Sequence, residues 1–81
     1  MARSQAEKHT LIHLGDAIRR ARVARKLTQE KLAEKCSLNP RTIQKIEAGN
    51  IAILVPTLIR LQAALGCNWG DLLGPEAKRG V

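Results

Sequence analysis

Aromatic side chains are nearly missing from this chain: one Trp, no Phe and no Tyr, 1% of 81 residues. A core must then be built from Leu, Ile, Val and Ala, which suits helices. Cysteine is scarce too. Cys36 and Cys67 are the 2 present and form no C-x-x-C pair, so buried free thiols are expected in place of a disulfide or a metal clasp. No apolar run approaches the ~20 residues that span a bilayer. The first residues, Met1-Ala-Arg-Ser-Gln, lack the apolar middle of a signal peptide, so a cytoplasmic location with no membrane partner is expected. There is no Ser/His/Asp set, no paired-carboxylate pattern and no glycine-rich phosphate loop, so neither an enzyme nor a cofactor is expected. His9 and His13 are four apart and can share a helix face, but two histidines alone do not complete a metal site. Acid is the last shortage. With 14 Lys+Arg against 7 Asp+Glu the net charge is +7, which favours a polyanion, nucleic acid first and an acidic membrane surface second.

What is present suffices for one domain. The hydrophobic fraction of 44% supports a single core in a chain above the size that needs disulfides or metals. Residues 1–8 are polar and aperiodic and read as a flexible arm. Leu11, Leu14, Ile18 and Ala21 then recur at helical steps, so a first helix runs from about Thr10 to Ala24 or Arg25. Thr28 caps a second helix, with Leu32, Ala33 and Cys36 facing inward. Asn39 caps a third, Pro40 fits its first turn, and Gly49 stops it. Pro56 marks the first turn of a fourth, which carries Leu58, Leu61 and Leu65 on one face and ends at Gly66. Asn68 and Asp71 form a capping pair for a short fifth helix over 69–73, and Gly74-Pro75 should end it. Residues 9–74 are therefore the domain and 75–81 a flexible tail.

The segment Thr28–Glu47 carries the functional signal. Its two short helices are joined by a tight turn, and Leu32, Ala33, Leu38, Ile43 and Ile46 let them bury one face against each other. That is a helix-turn-helix pattern, whose second helix can enter the DNA major groove. Outside that buried face lie Arg41, Thr42, Gln44 and Lys45. A guanidinium or ammonium donates to guanine, and an amide pairs with adenine in two places. Asn39 and Pro40, at the helix start, can approach base edges or thymine methyls. Gln29, where helix-end donors favour an anion, and Asn50 are expected on phosphates.

The runs Leu27-Thr-Gln-Glu-Lys-Leu-Ala-Glu-Lys35 and Thr42-Ile-Gln-Lys-Ile-Glu-Ala-Gly-Asn50, with Ile18-Arg-Arg-Ala-Arg22 before and Leu58-Ile-Arg-Leu-Gln-Ala-Ala-Leu-Gly66 after, resemble the phage-repressor/Cro or Xre type of helix-turn-helix. The similarity extends from about Leu14 to Leu73. It implies an all-α, compact five-helix repressor-type domain that binds a pseudo-palindromic operator in double-stranded DNA as a homodimer. Small members of this size resemble restriction–modification controllers, antitoxins and phage repressors. Ser37 and Lys26 stand where glycine is usual, and Ser37 is expected to carry a left-handed backbone at a cost of ~1 kcal/mol. Leu54 stands where Ser or Thr commonly caps the fourth helix. The resemblance also implies an ion pair between Arg22, on the apolar side of the first helix, and Glu47, whose carboxylate opposes the dipole at the end of the third.

These readings converge on a sequence-specific transcriptional regulator. One recognition helix reads too few base pairs alone, so a two-fold patch is expected from Trp69, Leu72 and Leu73 with Ile51 or Ile53. The competing reading has Leu72 plugging the core and Trp69 covering its edge. Regulation would come through concentration, dimerisation or a partner protein. The alternatives are an antitoxin that represses its own operon and a protein-interaction adaptor that keeps the fold without binding DNA.

Overall fold

The computed structural model describes residues 4–79, with side chains over 4–74. Five helices follow one another: α1 Gln5–Ala24, α2 Gln29–Cys36, α3 Pro40–Glu47, α4 Val55–Leu65 and α5 Trp69–Arg79. There is no strand among the described residues.

Each helix starts where a short polar side chain can take up a free backbone N–H, with one exception. Thr28 Oγ1 accepts from Lys31 N at 3.0 Å, Asn39 Oδ1 from Arg41 N at 2.8 Å and Asn68 Oδ1 from Asp71 N at 3.0 Å. α4 is the exception: Leu54 occupies its cap position and makes no side-chain cap bond, and Pro56 follows in the first turn. α1 begins earlier than its apolar periodicity predicts. Ser4 and Glu7 form a reciprocal capping box, with Glu7 N on Ser4 Oγ at 3.1 Å and Ser4 N on Glu7 Oε1 at 3.2 Å. Residues 5–8, read from sequence as part of a loose arm, are helical; residues 1–3 lie outside the described part. α5 in turn passes through Gly74-Pro75 to Arg79. The proline ring fixes φ at a value a helix uses, and its missing N–H removes one hydrogen bond without blocking the turns that follow. Most of the expected tail is therefore helical, and residues 80–81 lie outside the described part.

The helix ends also follow the sequence. Ser37 and Gly66 adopt left-handed caps at φ 56° and 65°, and Gly49 takes φ 74° after α3. Lys26, between α1 and α2, is left-handed as well, at φ 58°.

All five helices contribute to one aliphatic core. Leu14, Ala17 and Ile18 meet Leu32, Ala33 and Cys36, then Ile43 and Ile46, Leu61 and Leu65, Cys67 and Leu72. Both cysteines are free and buried. Burial pushes the Cys36 thiol above its ordinary pKa, against the smaller pull of the Arg60 guanidinium. That arginine also ties α4 to the end of α2, its Nη1 donating to the Cys36 carbonyl at 3.1 Å.

Two glycines allow α1 to reach α3. Gly15 is buried in the middle of α1, where a Cβ would collide with the carbonyl oxygen of Ile46 and come within 2.8 Å of that of Glu47. At Gly49 a Cβ would lie 2.7 Å from Ile12 Cα. α1 thus rests directly on the end of α3 and fixes where that helix points.

Candidate nucleic-acid interface

α3 divides cleanly into an inner and an outer face. Ile43 and Ile46 are fully buried, 0% and 2% exposed, and hold the helix against the core. Arg41, Gln44 and Lys45 are exposed, while Thr42 and Pro40 are half-buried. Ala33, buried at the α2–α3 crossing, has the small side chain that lets the two helices approach. Asn39 is exposed, but its Oδ1 is committed to the helix cap, which leaves its side-chain N–H₂ as the outward group.

Surface charges fall into paired and unpaired sets, and the cations of the outer α3 face, like Arg25, Lys26 and Lys35 elsewhere, are unpaired with any carboxylate among the described residues. On α1, Arg19 and Arg20 both pair with Asp16 at 3.0 Å. The Arg19 hydrogen bond, followed by the charges of both arginines, holds the Asp16 carboxyl below the usual carboxylate range. On α2, Lys31 faces Glu34 at 3.5 Å. Arg41 and Lys45 have no carboxylate partner among the described residues, so their charge is directed at solvent or at a ligand.

At the inner end of this surface sits a partly buried polar cluster. Arg22 grips Glu47 with two parallel bonds, Nε to Oε2 at 2.7 Å and Nη2 to Oε1 at 3.1 Å. The Arg22 side chain is 13% exposed and that of Glu47 is 3% exposed. The third arginine nitrogen, Nη1, donates to the Leu27 carbonyl at 2.8 Å, closing the α1–α2 turn. Gln29, the first residue of α2, adds its Nε2 to Glu47 Oε1 at 3.1 Å. From its sequence position Gln29 is expected only on a phosphate. Its bond to Glu47 spans 18 positions and has no local signature. Asn50, the other expected phosphate contact, is exposed just beyond α3, and its backbone N–H closes the helix end on the Lys45 carbonyl at 2.9 Å.

The residues expected at a dimer interface fare unevenly. Leu72 is 0% exposed and belongs to the protomer's own core, so it cannot present a surface to a second copy. Leu73, Ile51 and Ile53 are half-buried against that core. Trp69 remains 39% exposed. Other exposed apolar groups are spread over two helices: Leu54 at 76%, Val55 at 67% and Ile59 at 51% at the cap and first half of α4, and Ile12 at 57% and Val23 at 53% on α1. Among the described residues no group of three or more His, Cys, Asp or Glu could hold a metal, and no helix is long and apolar enough to cross a membrane. The His9 and His13 rings lie 6.4 Å apart.

Comparison with known proteins agrees with this architecture. A helix-turn-helix family model matches residues 18–72, from the core of α1 to that of α5. The crystal structure of the restriction–modification controller protein C.AhdI from Aeromonas hydrophila superposes with a TM-score of 0.73 at 27% identity, covering 76% of this chain and 94% of that one. Multiprotein-bridging factor 1 of Candida albicans is 39% identical over 61 residues, 75% of this chain, which spans only 40% of that relative's length. The five-helix frame, the α2–α3 unit and its outward basic face thus coincide with the matched segment, and the chain belongs to the helix-turn-helix family of DNA-binding regulators, of the phage-repressor/Cro or Xre type.

Proposed function

We propose that this protein is a sequence-specific transcriptional regulator that reads a pseudo-palindromic operator as a homodimer, with α3 in the major groove. One observation carries the reading: Arg41, Gln44 and Lys45 stand exposed on the outer face of a helix whose inner face is locked into the core, and the two cations have no internal partner. Arg41 and Lys45 suit guanine O6 and N7, and Gln44 suits adenine N6 and N7. Thr42, Pro40 and the Asn39 amide complete the reading edge. Gln29 and Asn50 flank it as phosphate donors. A second copy supplies the second half-site about one helical turn away. Trp69, partly exposed at the start of α5, is the leading apolar candidate for contact with that copy, together with the half-buried Ile51, Ile53 and Leu73. The cytoplasm is the matching location.

Selecting bound duplexes from a random pool, then titrating parent and variants on selected and scrambled sequences, tests this. Arg41→Ala or Gln44→Ala should each cost ~1–3 kcal/mol at one base pair and relax preference there. Equal affinity of the parent for both duplexes at moderate salt rejects specific readout.

The likeness to a multiprotein-bridging factor favours a second reading, a protein-binding adaptor on the same fold. It predicts that Arg41→Ala and Lys45→Ala leave function intact, and the same titration separates the two.

A further inference from the structure

The Gln29 amide is tethered at one end only. Its Nε2 donates to Glu47 Oε1 at 3.1 Å, and no other bond holds this side chain among the described residues. One amide group has two N–H donors, so a single bond to Glu47 fixes its direction and leaves the second N–H unused. Glu47 is itself immobilised, 3% exposed and held by two arginine bonds at 2.7 and 3.1 Å. A bare carboxylate beside a DNA backbone would repel it, but the Arg22 guanidinium cancels that charge where it arises.

We propose that Arg22 and Glu47 act as a positioning pair for DNA binding: they hold the Gln29 side chain in the orientation in which its remaining N–H meets a phosphate. This rests on the DNA-binding reading above and assigns the ion pair a task beyond stability. Glu47 touches no DNA in this scheme and acts through Gln29. Preorganisation of a donor before binding removes the ordering cost from the binding step.

The test must separate positioning from folding. Replacing a buried pair by apolar residues of similar size commonly preserves a fold, whereas removing one partner leaves an uncompensated charge. Four proteins are compared: the parent, Gln29→Ala, the double variant Arg22→Met with Glu47→Leu, and the triple variant. Each is titrated with selected and scrambled duplexes at a temperature where thermal melting shows all four folded. In the parent background Gln29→Ala should weaken binding to both duplexes by about five-fold, the worth of one ordinary hydrogen bond. In the apolar-pair background the same substitution should change affinity by less than about two-fold, because the amide is already unaimed. An equal penalty in both backgrounds, or none in the parent, overturns the proposal. A readout without DNA keeps it separable from the broader reading. In the free parent, NMR relaxation should report a rigid Gln29 side-chain amide that becomes mobile in Glu47→Gln or in the apolar-pair variant. An amide already mobile in the free parent overturns positioning, even if DNA binding is intact. A rigid amide in a protein that binds no duplex overturns the DNA reading and, with it, the phosphate role.

Discussion

Gly15 lies in the interior of a 20-residue helix, where glycine is unfavourable by about 1 kcal/mol relative to alanine. The α1–α3 contact offsets that penalty. A methyl group there would strike the carbonyls at the end of α3, which are backbone and cannot swing aside. Gly15→Ala should therefore destabilise the fold by about 3 kcal/mol despite its better helix propensity, a loss that urea unfolding will measure. Ser37 presents the opposite case. Its φ of 56° costs a side-chain-bearing residue ~1 kcal/mol, so Ser37→Gly should raise the urea midpoint by a corresponding amount. A midpoint that falls would show that the turn is not strained. The left-handed positions were legible in the sequence because turns have local chemistry. The tight approach at Gly15 was not, since only the neighbour across the core reveals it, although a glycine inside a periodic helix was a usable hint.

Helix starts and stops carried most of the sequence information at the next scale. Thr28, Asn39, Asn68, Gly49 and Gly66 are local signals and stand at helix ends in the structure. The periodicity of α1 understated its length because the first turns bury little: the helix there is set by the Ser4–Glu7 box, and residues 4–10 are exposed. α5 overran its expected stop because the φ that proline imposes is one a helix uses, so Gly74-Pro75 costs a hydrogen bond without ending the helix. Long-range pairs are the least legible. Arg22 and Glu47 are 25 positions apart, and their contact was implied by family resemblance alone. Because both side chains are largely buried, Arg22→Ala leaves a carboxylate unpaired and should cost ~3–5 kcal/mol. Thermal melting decides the matter, and a variant that melts with the parent would show that water takes the arginine's place.

Taken whole, the molecule is a small aliphatic core steering one basic helix outward, and its titration behaviour follows from that core. The Cys36 thiol, 1% exposed, has its pKa raised by burial. The folded state thus favours the protonated thiol. Its stabilising share is intact below the ordinary thiol value of about 8.5 and is lost as pH rises through the raised value. Unfolding curves should show the parent losing stability under alkaline conditions more steeply than Cys36→Ala. Parallel curves would count against a thiol contribution. Self-association is the other property of this scale. Trp69→Ala should raise the dimer dissociation constant and weaken operator binding while the protomer stays folded, because Leu72, and not Trp69, fills the core. Sedimentation of parent and variant at micromolar concentration gives the answer. A parent that stays monomeric there without DNA rejects the interface.

The scarcity of aromatic residues gives this protein a built-in optical label. Its near-ultraviolet absorbance and its fluorescence come from a single indole, with no tyrosine to obscure it. That ring sits at the first residue of α5, 39% exposed, neither sealed in the core nor fully wet. Its emission should begin at an intermediate wavelength, move to the blue if a second copy covers it, and move to the red when the chain unfolds. Two different events thus shift one unmodified chromophore in opposite directions, and a dilution series in a fluorimeter can distinguish dissociation of intact protomers from loss of structure.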